Sequence, residues 1–121
     1  MSKILIIEDD DFLRSLAVTK LEKEAFEVLM ASEVKQGLEL AQSHIPDLII
    51  LDLMLPIMSG FEVLKALKTS IATENIKIIV FSNLGEESDI KTCLDLGAND
   101  YLVIANFTLD ELVEKIKELL K

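Results

Sequence analysis

One segment, Pro46-Asp-Leu-Ile-Ile-Leu-Asp-Leu-Met-Leu-Pro56, sets the architecture of the chain. Its centre, residues 48–51, is a short run that is apolar at every position and stops at Asp52. Such a run predicts a strand that is buried on both faces of a parallel sheet. Asp52 is therefore expected at the carboxyl end of this strand, on the edge where open α/β sheets bind their ligands.

Composition restricts the class of protein. The chain has 121 residues, half of them apolar, which fits one domain with a single hydrophobic core. No apolar run approaches the roughly 20 residues of a membrane span, and the first residues do not resemble a signal peptide. With one cysteine no intrachain disulfide can form, so a cytoplasmic protein is expected. The net charge of −10 disfavours direct binding to nucleic acid or to an anionic membrane, and suits contact with proteins or a divalent cation.

Apolar runs and helical patterns alternate along the chain. Strands are expected at residues 4–7, 28–31, 48–51, 76–81 and 101–104. A helix is expected after each strand, because apolar residues recur there at helical spacing. Five βα units predict one domain over residues 1–121, an α/β fold with a doubly wound parallel sheet and helices on both of its faces.

Helical spacing also predicts which side chains face the core. The third helix is expected to turn four apolar residues inward: Phe61, Leu64, Leu67 and Ile71. Ile90, Cys93, Leu94 and Gly97 indicate the fourth helix, which the glycine closes, and Cys93 is expected on its inward face as core packing. Thr108 and Glu111 have the spacing of a capping box and predict the start of the last helix.

Acidic side chains follow the first and third predicted strands. Glu8 and Asp9 can approach Asp52, because the carboxyl ends of parallel strands meet at one edge of a sheet. Three carboxylates repel one another unless a cation neutralises them, and oxygen ligands with room for water suit Mg²⁺. The Met54 carbonyl is a further candidate ligand, and Ser82 adds a hydroxyl to the same edge. The spacing alone predicts a Mg²⁺-dependent phosphoryl site.

Several segments stand out in order along the chain: Glu8-Asp9-Asp10, residues 46–56 with Ser59-Gly60, Ser82 at 30 residues after Asp52, and residues 97–102. These four segments resemble four segments of response-regulator receiver domains in two-component signalling. In chain order, the family segments are the acidic pair, the phosphoacceptor segment, the Thr or Ser position and the segment that carries the aromatic switch residue. The resemblance covers nearly every predicted element. It implies a flavodoxin-like (βα)5 sandwich whose strands have the order 2-1-3-4-5.

The resemblance implies a signalling domain rather than an enzyme. Asp52 would accept a phosphoryl group from a sensor histidine kinase or a phosphotransfer protein, with Mg²⁺ or Mn²⁺ as cofactor. Asp9 would bind the metal directly and Glu8 through water. Ser82 would then bind a phosphoryl oxygen, and Tyr101 would turn into the space that its loop vacates. The face formed by the fourth helix, fifth strand and fifth helix would contact a downstream protein target, and activation could produce a homodimer.

The segment after the fifth strand departs from this family. Where receiver domains have Lys-Pro, this chain has Ile104 and Ala105. The metal ligands are unaffected, but one charge-assisted contact to the phosphoryl group, worth about 1.5–3 kcal/mol, is lost. We expect a domain that still accepts phosphate and couples it weakly to its output face.

Other functions are compatible with parts of the pattern. A pseudo-receiver would use the same fold as a protein-binding module without productive phosphorylation. A phosphohydrolase with an aspartyl nucleophile is disfavoured because no general acid accompanies Asp52. A flavin-binding protein of the same fold class is disfavoured because acids follow the first strand, where a phosphate would bind. Asp10 and Asp11 are interpreted as first-turn and capping acids of the first helix rather than as metal ligands, and His44 as a surface residue.

Overall fold

The computed structural model describes residues 2–121. Strands and helices alternate, and a 3₁₀ helix at Ile104–Asn106 precedes the last helix. In chain order the elements are β1 (Lys3–Ile7), α1 (Asp11–Lys23), β2 (Glu27–Ala31), α2 (Val34–His44), β3 (Leu48–Leu51), α3 (Gly60–Thr69), β4 (Lys77–Ser82), α4 (Glu87–Asp95), β5 (Asp100–Val103) and α5 (Leu109–Leu119).

The five strands form one parallel sheet with the order β2-β1-β3-β4-β5, as predicted. Each face of the sheet carries its own apolar cluster. Side chains of α1 and α5 cover one face, and those of α2, α3 and α4 cover the other. The central strand β3 is buried at all four positions, which explains why its sequence is apolar throughout instead of alternating.

The ends of β4 and β5 each lie one residue away from the predicted ends. Ile76 belongs to the preceding turn, where its amide donates to the carbonyl of Thr73. Asn99 pairs with β4 before β5 begins: its side-chain oxygen accepts from the amide of Ile78, and its own amide donates to the carbonyl of Ile78. The strand β5 therefore starts and ends one residue early, and Ile104 lies in the 3₁₀ helix.

One side chain predicted to face the core, that of Ile71, is exposed. Ile71 is 89% exposed because α3 ends at Thr69 and Ser70 is extended, so the helical spacing no longer applies. Leu94 is exposed because its neighbour Cys93 is the residue of α4 that enters the core. The burial of Cys93 and the capping box of Thr108 with Glu111 are confirmed.

A closed loop connects β3 to α3. The amide of Gly60 donates to the carbonyl of Leu53 at 2.9 Å, which holds the two ends of the loop together. A Cβ atom at Gly60 would lie 2.4 Å from the carbonyl oxygen of Asp52 and 2.4 Å from the Cα of Leu53. The helix α3 can therefore start this close to Asp52 only because residue 60 has no side chain.

Substitution of Gly60 by alanine should destabilise the domain by about 1–3 kcal/mol, because the clash is with backbone atoms that cannot rotate away. Gly85 offers a matched control, since a Cβ there would meet its nearest neighbour at 3.4 Å. Urea denaturation should show a lower free energy of unfolding for Gly60→Ala and a change within about 0.5 kcal/mol for Gly85→Ala. Equal effects of the two substitutions would contradict this account of the loop.

Candidate functional site

The pairing of β1 with β3 brings the acidic residues together. Ile7 is the register partner of Leu51, and the amide of Asp52 donates to the carbonyl of Ile7 at 3.1 Å. Glu8 directly follows β1 and Asp52 directly follows β3, so the two residues lie side by side. One carboxylate oxygen from each of Glu8, Asp9 and Asp52 lies within 4.8 Å of the other two.

Two of these carboxyl groups are buried and are held by backbone amides. Glu8 is 4% exposed and Asp52 is 7% exposed, whereas Asp9 is open to solvent. The amide of Asp10 donates to Glu8 Oε2 at 3.1 Å, and the amide of Met54 donates to Asp52 Oδ1 at 3.1 Å. These bonds orient the carboxyl groups before any ligand arrives.

Glu8 is the carboxyl group of the site whose pKa is shifted most. Burial, the hydrogen bond to Asp52 and the charges of Asp52 and Asp9 raise the pKa of Glu8 from 4.5 to about 8, and the amide of Asp10 opposes them. A proton shared between two close carboxyl groups relieves their repulsion when no cation is present. A bound divalent cation would serve the same purpose, so a proton and a metal compete for this site.

The carboxyl groups lie at the wall of an open pocket of 370 Å³. The residues that line it are Glu8, Asp9, Asp10, Leu13, Asp52, Met54, Asn83 and Ile104. Carboxylate and carbonyl oxygens around a water-accessible space are the donor set that Mg²⁺ prefers, so the residues present fit this ion. Ile104 contributes an apolar side chain to the pocket. Its peptide bond to Ala105 is trans, as are the others in residues 2–121.

Ser82 and Tyr101 are connected through the backbone of Leu84. Ser82 is fully buried at the end of β4, and its hydroxyl oxygen accepts from the amide of Leu84 at 3.4 Å. The hydroxyl of Tyr101 donates to the carbonyl of Leu84. The ring of Tyr101 is buried. Burial raises the pKa of the Tyr101 hydroxyl to about 12, which keeps it a hydrogen-bond donor.

Two residues near the site were not found by sequence reasoning. Asn83 lines the pocket directly after β4, and its place beside Ser82 at a strand end was the available signal. Arg14 donates from its guanidinium to the carbonyl of Glu8 at 2.9 Å and pairs with Asp11. Asp10 caps α1 by accepting from the amide of Leu13, as its interpretation as a capping acid predicts.

The comparison with protein families agrees with this arrangement. The model of the family described as the response regulator receiver domain matches residues 4–117. The chain belongs to this family. It is therefore a receiver domain of two-component signalling, and its Asp52 stands after β3 in a flavodoxin-like fold.

Curated relatives extend beyond this receiver domain. The transcriptional regulatory protein CpxR of Escherichia coli is 40% identical over 121 residues, which cover all of this chain and 50% of the relative. The phosphate regulon transcriptional regulatory protein PhoB of Rhizobium meliloti is 39% identical over 124 residues, covering all of this chain and 53% of PhoB. The chain spans about half the length of these relatives.

Solved structures of receiver domains superpose closely on this one. A response regulator receiver domain protein from Methanospirillum hungatei, described as CheY-like, has a TM-score of 0.92 at 28% identity, covering 99% of this chain and 94% of the other.

Among residues 2–121, none of the helices combines the length and the apolar character needed to cross a membrane.

The raised pKa of Glu8 predicts a pH-dependent stability in metal-free buffer. Between pH 4.5 and about 8 the folded domain keeps the Glu8 proton, and the unfolded chain loses it. The folded state then binds more protons, so the free energy of unfolding should fall as the pH rises through this window. Substitution Glu8→Gln, which stays neutral, should flatten this part of the profile in urea denaturation at a series of pH values. A slope as steep as that of the wild type in Glu8→Gln would refute the assignment.

Proposed function

We propose that this receiver domain accepts a phosphoryl group on Asp52 from the phosphohistidine of a sensor histidine kinase or a phosphotransfer protein. The observation that carries the proposal is the buried, amide-held carboxyl group of Asp52 beside Glu8 and Asp9, at the wall of an open pocket. Membership of the receiver family supports it.

The transfer forms one bond and breaks one. An oxygen of the Asp52 carboxylate attacks the phosphorus atom, the P–N bond to the donor imidazole breaks, and the imidazole leaves with a proton. The Met54 amide holds Oδ1 of Asp52 at 3.1 Å and thereby fixes the direction of the carboxyl group. Most of the catalysis in such a transfer comes from positioning and electrostatics, which are the contributions that this pocket offers.

A divalent cation is part of the proposal. We assign Asp9, Asp52 and the backbone carbonyl of Met54 as direct ligands of Mg²⁺ or Mn²⁺, and Glu8 as a ligand through water. When bound, the ion would neutralise the charge on the phosphoryl oxygens. Because Glu8 holds a proton in the metal-free site, this proton would leave as the ion binds.

Signal output is proposed to run through Ser82 and Tyr101. The hydroxyl of Ser82 would bind a phosphoryl oxygen and draw its loop toward Asp52. The amide of Leu84 donates to the hydroxyl of Ser82, and the carbonyl of Leu84 accepts from the hydroxyl of Tyr101. A shift of this loop would therefore displace the hydrogen-bond partner of Tyr101 and change the position of the ring. The surface of α4, β5 and α5 would change and would bind a downstream protein, with homodimer formation as one possible result.

Contact with DNA is not proposed for this domain. The relatives named above are transcriptional regulators, and the chain matches only about half of their length. With a net charge of −10, residues 1–121 would be repelled by a phosphate backbone. DNA binding in an intact regulator is therefore assigned to other parts of such a protein.

The phosphoacceptor is tested by intact mass spectrometry after incubation with Mg²⁺ and acetyl phosphate. The wild type should gain one phosphoryl group, and Asp52→Asn should gain none because the nucleophilic carboxylate is missing. Asp47→Asn, which alters an exposed acid at the opposite end of β3, is the control and should still be phosphorylated. A wild type that binds Mg²⁺ without gaining phosphate would favour the pseudo-receiver instead.

The effect of Ile104 on phosphorylation is tested by placing a lysine side chain at this position of the pocket wall. Ile104→Lys should raise the phosphorylated fraction at limiting acetyl phosphate, with an equilibrium gain of about tenfold or more from one charge-assisted hydrogen bond. Ile104→Met, of similar length but uncharged, should behave like the wild type. The same yield from the Lys and Met variants would show that Ile104 does not limit phosphorylation.

A further inference from the structure

The pocket beside Asp52 is rich in acids and poor in side chains that donate hydrogen bonds. Of the eight residues that line it, four carry carboxyl groups, three are apolar and the eighth is Asn83. None of these eight side chains is cationic. A phosphoryl group spreads negative charge over several oxygens, which are stabilised by donors or cations in the surrounding wall. The carboxamide of Asn83, with its two N–H donors, is therefore the side chain of this wall that is suited to a phosphoryl oxygen.

The order of the strands places Asn83 close to Asp52. Asn83 directly follows β4, which pairs with β3, whereas Ile104 directly follows β5, the strand beyond β4. Neighbouring strands lie about 4.8 Å apart, so a side chain at the end of β4 has one strand spacing to cross and a side chain at the end of β5 has two. The short carboxamide of Asn83 can span the first distance, whereas the second requires a longer side chain.

The register between β4 and β5 places Asn83 beside Ile104. Ser82 pairs with Val103, so the next residue after each strand follows at the same level, and both of these residues line the pocket. Asn83 is exposed and Ile104 is half-buried. An apolar neighbour excludes water from one side of a hydrogen bond, and a hydrogen bond to a charged group is stronger where water is excluded. Ile104 thus provides a favourable surrounding for a donor at residue 83.

We propose that Asn83 is a phosphoryl-binding residue, whose carboxamide donates a hydrogen bond to a phosphoryl oxygen on Asp52. The inference rests on the proposed function, because it concerns the group that Asp52 would accept. Ser82 and the divalent cation would bind the other phosphoryl oxygens. Since the carboxamide is neutral and is not one of the assigned metal ligands, it should stabilise the phosphoryl group and leave the binding of Mg²⁺ alone unchanged.

The test measures binding of beryllofluoride, a tetrahedral analogue that takes the place of a phosphoryl group on a carboxylate. Binding in the presence of Mg²⁺ is followed by ¹⁹F NMR. Asn83→Leu, which keeps the size of the side chain and removes its donor, should weaken this binding about tenfold or more, the effect of one hydrogen bond to a charged group. The yield of phosphorylated protein at limiting acetyl phosphate should fall with it, whereas the affinity for Mg²⁺ alone should not change.

Two further variants separate the donor from other effects of substitution. Asn75→Leu is the matched control, because Asn75 is also exposed but lies before β4, at the opposite end of that strand, and it should leave both readouts unchanged. Asn83→Gln keeps the carboxamide and should bind beryllofluoride more tightly than Asn83→Leu does. Thermal unfolding should show that all variants are folded, since both substituted positions are exposed.

Several outcomes would overturn the role of Asn83. They are an Asn83→Leu variant that binds beryllofluoride as the wild type does, a loss of affinity for Mg²⁺ alone by the same factor, an Asn83→Gln variant no tighter than Asn83→Leu, and a wild type that does not bind beryllofluoride. A wild type that binds beryllofluoride through Asn83 but gains no phosphate from acetyl phosphate would refute the proposed function of Asp52 and would still support Asn83 as the donor to a bound phosphoryl analogue.

Discussion

The geometry of the site depends on the register between β1 and β3. Ile7 pairs with Leu51, and each strand continues into one acidic residue, Glu8 and Asp52. A shift of one residue would turn every apolar side chain of a strand to the opposite face and would separate the two carboxyl groups. The core therefore fixes the site: the burial that holds β3 in place also determines that these acids meet.

This register creates an electrostatic cost that the domain has to offset. Glu8 and Asp52 are buried next to each other, and burial of two negative charges without compensation is unfavourable. The proton on Glu8 offsets the cost in the metal-free protein, and the backbone amides of Asp10 and Met54 stabilise whatever charge remains. A divalent cation is suited to neutralise the charge of these carboxyl groups.

Sequence patterns predicted those features that depend on periodicity and topology. The five strands and the meeting of three acids follow from apolar runs and from the parallel connection of βα units, whereas the order of the strands was implied by the family resemblance. Side-chain bonds to the backbone away from the helix caps were not predictable in the same way: Asn99 extends the pairing of β4 because its amide oxygen reaches Ile78, which no local pattern indicates. The left-handed backbone of Ile57 opposes its own propensity, so only the structure reveals it.

The position of Tyr101 bears on how the proposed switch would work. Its ring is inward and its hydroxyl donates to the carbonyl of Leu84. A phosphoryl group on Asp52 could then act only by binding better to one loop conformation than to another, since a ligand shifts an equilibrium by no more than its differential affinity. Ser82 is the residue through which this difference would arise, because its hydroxyl already holds the Leu84 amide. With Ile104 in the pocket wall, no lysine among the residues that line this pocket adds to that difference, and the proposed coupling would run from Ser82 through Leu84 to Tyr101.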